Sequence, residues 1–220
     1  MSIALLMAPA SSECLSYQSQ QNEVLKRLFD VVVAGCALFM LSPLFLLVAF
    51  CIWATDRGPA LFKQKRVGKD GREFDFYKFR SMVCHADAAK AQLLAFNQHQ
   101  DPRTFKMRND PRVTRVGAIL RRTSVDELPQ LWNIIIGDMS IVGPRPAIPA
   151  ETALYTPFDR RRLAVTPGLT CIWQVSGRSE IAFSGQVELD LQYINSRSFL
   201  LDIELIARTI PAVLSARGAY

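Results

Sequence analysis

An uncharged run, residues 31–54, is interrupted near its centre by Ser42-Pro43. About 20 apolar residues suffice to cross a bilayer as a helix, and this run is longer than that. Proline inside a helix removes one backbone donor and crowds the preceding turn, so the helix must bend or break at Pro43. Two topologies follow. The segment crosses as one kinked span, or it enters the membrane, turns at mid-depth and leaves on the side it came from. The flanking charge bears on the choice. Lys26 and Arg27 precede the run, and Arg57, Lys63, Lys65 and Arg66 follow it. A simple span biases Lys and Arg to its cytoplasmic side. Basic residues at both ends therefore favour two half-helices whose outer ends share one side. Ser42 is placed to bond a carbonyl freed by Pro43, as a broken helix in lipid requires.

The rest of the 220 residues suffices for one globular body with a core. The net charge is +6, and its basic excess lies in residues 57–80 and 103–122. Beside a membrane segment such stretches suit anionic lipid headgroups and phosphorylated substrates. No helix-turn-helix, zinc-finger or RNA-binding signature accompanies them, so nucleic acid is not expected as a partner. The five cysteines are scattered, with no C-x-x-C spacing, which argues against a zinc site or a disulfide framework. His85 and His99 sit in polar surroundings and read as solvated surface residues. No basic residue precedes the short apolar stretch at residues 3–8, so it is not read as a signal peptide. Residues 1–23 are expected to form a flexible tail, 24–57 the membrane element and 58–220 the globular body.

Within that body, Leu61–Val67 and residues 74–80 read as a β-hairpin turned by Lys69-Asp70-Gly71. Residues 82–98 read as an Ala-rich polar helix and 101–114 as loop. Residues 116–122 form a short basic amphipathic helix, and 128–136 a second helix stopped by Gly137. Gly143-Pro144-Arg145-Pro146 must be a fixed loop. Pro167-Gly168 is a turn before an apolar strand over 169–175. Helical patterns over 186–195 and 199–214 close the chain.

Two adjacent carboxylates, Asp126 and Glu127, sit at a helix start behind Arg121-Arg122. One reading is structural: Ser124 and Glu127 have capping-box spacing, and Asp126 complements the helix dipole. Pro129 then falls inside the helix and forfeits a hydrogen bond. Starting the helix at Pro129 instead leaves both carboxylates just outside its N-terminus. Either way, a positive helix end and nearby arginines are expected to lower both pKa values and to let phosphate meet a divalent cation. Arg145, held between two prolines, suits bidentate phosphate recognition, or is an arginine in a rigid surface turn. Lys78 and Arg80 on the second strand, with Arg112 in the second basic stretch, add candidate phosphate-binding cations, or are solvated.

Taken together, these segments resemble the bacterial sugar transferase family, the small monotopic phosphoglycosyl transferases, over about residues 24–220. The matching stretches run in order: Lys26-Arg27 with Asp30, Ser42-Pro43, Lys78-Phe79-Arg80-Ser81-Met82, and Asp110-Pro111-Arg112-Val113-Thr114. They continue with Asp126-Glu127-Leu128-Pro129-Gln130, the run from Gly137 through Pro146, and Pro167-Gly168-Leu169-Thr170. Cys171 stands where the family usually has glycine. The resemblance implies an α+β monotopic membrane protein with a re-entrant broken helix, a small β-hairpin and short interfacial helices. It implies transfer of a hexose 1-phosphate, galactose or glucose, from a UDP-sugar to undecaprenyl phosphate at the cytoplasmic face of the bacterial inner membrane. This would be the first membrane step of exopolysaccharide synthesis. Asp126 would be the nucleophile, and Asp126 and Glu127 would hold Mg²⁺. Arg145 would bind the donor and Arg121 would support the site. A homodimer through the last helix is compatible with this picture. The competing class is a non-catalytic membrane-surface protein that binds anionic lipid or scaffolds polysaccharide assembly.

Overall fold

A computed structural model describes residues 12–86, 101, 107 and 109–215. Its first element, helix α1 (Ser12–Asp56), starts inside the stretch expected as a tail and runs unbroken through Pro43. The expected interruption at Ser42-Pro43 is therefore absent from the helical assignment. Its cost is met locally. The carbonyl of Phe39 would ordinarily accept from the amide of residue 43, which proline lacks; it accepts instead from the Ser42 hydroxyl at 2.8 Å.

α1 is long and apolar enough over Glu23–Asp56 to cross a membrane, with mean hydropathy 2.6 over its most apolar 18 residues. Only 11% of that apolar stretch is buried, so it is not an ordinary core helix. Both of its ends are fastened to one globular body. Near the start, Lys26 pairs with Asp202 at 2.6 Å. Arg27 donates to the carbonyls of Ile134 and Ile135, and Asp30 accepts from the Ile141 amide at 3.2 Å. At the far end Asp56 pairs with Arg80, and Val48 and Ile52 pack on Phe79 and Leu120. Between these anchors residues 35–47 include no buried side chain. Phe39, Met40, Leu46 and Phe50 point outward.

The hairpin forms as expected. β1 (Leu61–Val67) and β2 (Glu73–Phe79) pair antiparallel from Leu61–Phe79 to Val67–Glu73. Its turn holds Asp70 at φ 55° and Gly71 at φ 80°. Phe74 and Phe76 alternate into the core, where Leu131, Ile134, Ile141, Tyr193 and Leu205 meet Ala34 of α1. Helix α2 (Arg115–Arg122) is capped by Thr114, whose hydroxyl accepts from the Gly117 amide. Helix α3 (Gln130–Ile136) ends at Gly137, which supplies φ 98° at low cost.

β3 (Ser140–Val142) and β4 (Gly168–Thr170) form a second, parallel pair. A Cβ at Gly168 would lie 2.0 Å from the Gly143 nitrogen, so this crossing requires glycine. The strand expected over 169–175 stops at Thr170. Cys171 instead stands at the N-terminal boundary of helix α6 (Ile172–Ser176), without a side-chain cap, after the short helices α4 (Pro149–Thr152) and α5 (Pro157–Arg160). Cys171 has φ −153° and ψ 172°, which any residue adopts. Its replacement of glycine therefore strains nothing. α7 (Phe183–Ser196) and α8 (Phe199–Ser215) complete the body. Tyr193 of α7 donates toward Val142 and Asp202 at 3.2 and 2.7 Å, tying both helices to β3. The Ala-rich helix expected over 82–98 lies almost wholly outside the described residues, as do His99 and part of the 101–114 loop.

Asn133 joins the hairpin to α3. Fully buried, its amide accepts from the Tyr77 N–H at 3.1 Å and donates to the Asp75 carbonyl at 2.6 Å. Asn133→Ala leaves both backbone groups without partners, each costing about 1–3 kcal/mol. Thermal unfolding in a membrane mimetic should show a loss of about 2–6 kcal/mol.

Candidate active site

The two carboxylates lie on a single 3-10 turn, Val125–Glu127, between α2 and α3. Ser124 precedes it in the left-handed region at φ 56° and makes no side-chain cap. Pro129 occupies the cap of α3. The capping-box reading therefore fails, and the helix starts after both acids. The reason is Pro129, which cannot lie inside a helix without forfeiting a bond.

The turn sends the neighbouring side chains to different surroundings. Glu127 forms a bidentate pair with Arg145, with Nη1–Oε2 at 3.2 Å and a closer Nη2–Oε1 contact. Asp126 is buried, and among the described residues its carboxylate enters no ion pair or hydrogen bond.

Arg145 is held by a loop pinned along its length. The Gly143 amide donates to Thr170 at 3.0 Å, and the Pro144 carbonyl accepts from Gly168 at 2.9 Å. The Pro146 carbonyl accepts from Arg66 Nη1 at 3.0 Å, and the Ala147 carbonyl accepts from the Val67 amide at 2.8 Å. The hairpin thus holds this loop with β1 and the middle of α3, through Asn133, with β2. Arg121 arrives from α2, its Nε donating to the Ser81 hydroxyl at 3.0 Å. α2 approaches closely because residue 117 is glycine; a Cβ there would lie 1.9 Å from the Ser81 carbonyl oxygen. Lys78 projects from β2, its Nζ 5.1 Å from the centre of the Phe62 ring.

These surroundings separate the acids electrostatically. Burial, reinforced by the charge of Glu127, pushes Asp126 up to about 6, against the pull of Lys78, Arg121 and Arg145. For Glu127, burial is outweighed by the charge and hydrogen bonds of Arg145, so its pKa falls. The expectation that both would fall is thus corrected for Asp126, where desolvation exceeds the helix-end effect. Lys78 is lowered to about 8 by burial and by the charges of Arg66 and Arg121.

Of the expected cations, Arg145, Arg121 and Lys78 gather around the acids. Arg80 and Arg112 are spent elsewhere. Arg80 is buried, paired with Asp56 and in contact with Cys84 Sγ at 3.1 Å, so it fastens the end of α1. Arg112 grips Asp110 at 2.6 and 2.9 Å and also donates to the Ala86 carbonyl. Two cations join the site without having been expected. Arg66 lies within the field of Arg145 and Glu127, as does Arg178. Arg66 looks like one more lysine-like charge on a basic strand, and Arg178 lies in a Gly-Arg-Ser turn with no local pattern. Only the fold brings them in.

Among the described residues no group of three or more His, Cys, Asp or Glu side chains is arranged for a metal. Mg²⁺ commonly shares one or two carboxylates with substrate phosphates and water; Asp126, which has no partner among the described residues, is the acid open to that role, with Glu127 beside it engaged by Arg145.

Residues 21–216 match the family model described as bacterial sugar transferase. The chain is 43% identical over 198 residues to the exopolysaccharide production protein ExoY of Rhizobium meliloti, spanning 89% of this chain and 88% of that protein. It is 39% identical over 206 residues to the UDP-glucose:undecaprenyl-phosphate glucose-1-phosphate transferase of Caulobacter vibrioides, spanning 89% and 72%. It is also 39% identical over 208 residues to the undecaprenyl-phosphate galactose phosphotransferase of Salmonella typhimurium, spanning 91% of this chain and 43% of that longer protein.

The Glu127–Arg145 pair has its own test. Arg145→Met strands a half-buried carboxylate and should cost about 1–3 kcal/mol at pH 7. The double variant Glu127→Gln/Arg145→Met should recover most of that loss in thermal unfolding, because neither charge is then left alone.

Proposed function

The chain belongs to the bacterial sugar transferase family, and on that premise we propose that it moves a sugar 1-phosphate from a UDP-sugar to undecaprenyl phosphate, releasing UMP. Membership in an enzyme family removes the non-catalytic scaffold from contention. The sugar is a hexose, galactose or glucose, in keeping with the names of its relatives. The observation that carries the mechanism is the division of labour between two adjacent acids: Glu127 is tied to Arg145 while Asp126 is left without a partner among the described residues.

Asp126 attacks the phosphorus that bears the sugar. A bond forms between its carboxylate oxygen and that phosphorus. The bond from phosphorus to the bridging oxygen breaks, and UMP leaves with the electron pair. A phosphate oxygen of the lipid then attacks the same phosphorus and releases the carboxylate. Splitting the transfer in two lets one site serve a soluble donor and a lipid acceptor in turn. Lys78, Arg121 and Arg145 oppose the negative charge that accumulates at the phosphorus. Mg²⁺, when bound by Glu127 and Asp126 with the donor phosphates, would neutralise charge on the diphosphate.

The acceptor's phosphate lies at headgroup depth, so the site must sit at the membrane surface. Re-entry of α1 from the cytoplasmic side is the topology we propose; it requires the continuous helix to bend sharply at Pro43, where proline kinks form without ending a helix. It is supported by the attachment of Lys26 and Asp56 to one body, which has to lie on one side of a bilayer. Exposed Ile119 on α2, beside Arg115 and Arg122, and exposed Trp132 and Ile136 on α3 suit an interfacial position.

Exchange of labelled UMP into UDP-sugar without lipid tests the covalent route. It should proceed with the wild type and vanish in Asp126→Asn. Absence of exchange in a preparation that still turns over would mean a ternary-complex transfer. The exchange rate should fall as pH drops through about 6, where Asp126 takes up a proton, and again above about 8, where Lys78 loses its charge. Lys78 holds the Asp126 pKa down, so in Lys78→Met the acid limb should move to higher pH.

A further inference from the structure

Proline flanks Arg145 on both sides, so neither neighbour has an N–H with which to anchor the loop. The segment has to be held through its carbonyls, and each carbonyl needs a donor from elsewhere in the fold. The Pro144 carbonyl accepts from the backbone amide of Gly168, and that of Ala147 from the backbone amide of Val67. The Pro146 carbonyl, one peptide unit from Arg145, accepts instead from a side chain, Arg66 Nη1 at 3.0 Å. Of these contacts it is the one that a substitution can remove without altering the backbone.

Arginine is a demanding choice for that contact. On β1, Leu61, Lys63 and Lys65 face outward, while Phe62, Gln64 and Arg66 face the body. The Arg66 guanidinium carbon lies 5.0 Å from the centre of the ring of Phe76, a core residue. Its Nε is buried and has no partner among the described residues. Burial, and next the charge of Arg145, push its pKa down to about 10. A position that only had to cover Phe76 would be served better by an apolar side chain, because burying a charge beside a like charge is unfavourable. The arginine is explained by what its far end reaches. A glutamine amide would stop at the depth of the unpartnered Nε, and the additional length of arginine carries a donor to Pro146.

We infer that Arg66 is a positioning residue for the transfer reaction: its hydrogen bond to the Pro146 carbonyl fixes the backbone from which Arg145 reaches Glu127. This rests on the reaction proposed above and extends it by a residue that need not touch the substrate. The contacts run from Arg66 to Pro146, through one peptide unit to Arg145, and across the bidentate pair to Glu127, the neighbour of Asp126. Without this tether the Arg145 backbone is free to shift. A misplacement of about 1 Å at a group that acts on the reacting phosphorus can cost about 100-fold in rate.

The test uses the whole chain in a membrane mimetic. Arg66→Gln is too short to reach the carbonyl and Arg66→Met has no donor, while Arg66→Lys keeps a donor of nearly the same reach. In both Arg66→Gln and Arg66→Met, kcat/KM for UMP exchange should fall by about tenfold or more, measured well below the melting temperature so that the folded fraction is unchanged. Arg66→Lys should recover part of the loss. In an Arg145→Met background, Arg66→Gln should alter the rate by less than about twofold, because a residue that acts through Arg145 then has nothing to position. A thermal arm needs no turnover: Arg145→Met should lower the melting temperature less in Arg66→Gln than in the wild type, since the pair with Glu127 is already loosened there. If the wild type does not exchange, the covalent reading falls; in that case, or if Arg145→Met abolishes exchange, the thermal arm decides the role of Arg66. An undiminished rate in Arg66→Gln, equal rate losses with Arg145 present or replaced, or equal melting-temperature drops from Arg145→Met in both backgrounds would overturn the assignment.

Discussion

The bidentate contact between Arg145 and Glu127 is the interaction on which the site depends. Two carboxylates on consecutive residues would ordinarily share one environment and compete for the same cations. The contact removes Glu127 from that competition and leaves Asp126 buried, unpaired among the described residues and raised in pKa. Its geometry comes from two directions. Pro129 delays α3 until after the acids, so they sit on a tight turn that aims successive side chains apart. The loop carrying Arg145 is gripped at Gly143, Pro144, Pro146 and Ala147 by β4 and β1. The hairpin holds both parts, through Arg66 and Val67 on one strand and the Asn133 contacts on the other.

The same body fixes the membrane element. A helix that crossed a hydrocarbon core about 30 Å thick would carry its ends to opposite faces. Here Lys26 reaches Asp202 and Asp56 reaches Arg80, both on one folded unit, while Phe39, Met40, Leu46 and Leu47 on either side of Ser42-Pro43 face outward. In the re-entrant topology proposed above, this arrangement couples the depth of the helix to the height of Asp126 above the lipid. A reaction between a soluble nucleotide and a lipid phosphate depends on that height.

Much of this architecture is legible in the amino-acid sequence. The hairpin and its turn follow from alternation and Lys69-Asp70-Gly71, the stop at Gly137 from glycine chemistry, and the rigid loop from its two prolines. Pairing of Ser42 with a carbonyl freed by Pro43 follows from hydrogen-bond accounting alone. Other features need three-dimensional partners. Arg80 reads as a cation available to a ligand because its partner Asp56 lies in a separate element and is set by packing; Arg112 is claimed by Asp110, only two residues before it. Arg66 and Arg178 reach the site only because distant segments converge, and neither has a local signature. The pKa of Asp126 moves opposite to expectation because burial depth is a property of the fold. The apolar run over 169–175 reads as strand throughout, yet only its first residues find a partner strand, at β3.

The most direct measurement is the mass of the protein after exposure to donor with lipid withheld, followed by peptide mapping. The account predicts a phosphohexose adduct on the side chain of Asp126 and none on Glu127. An adduct on Glu127, or no adduct in protein that remains fully active when lipid is restored, would contradict it.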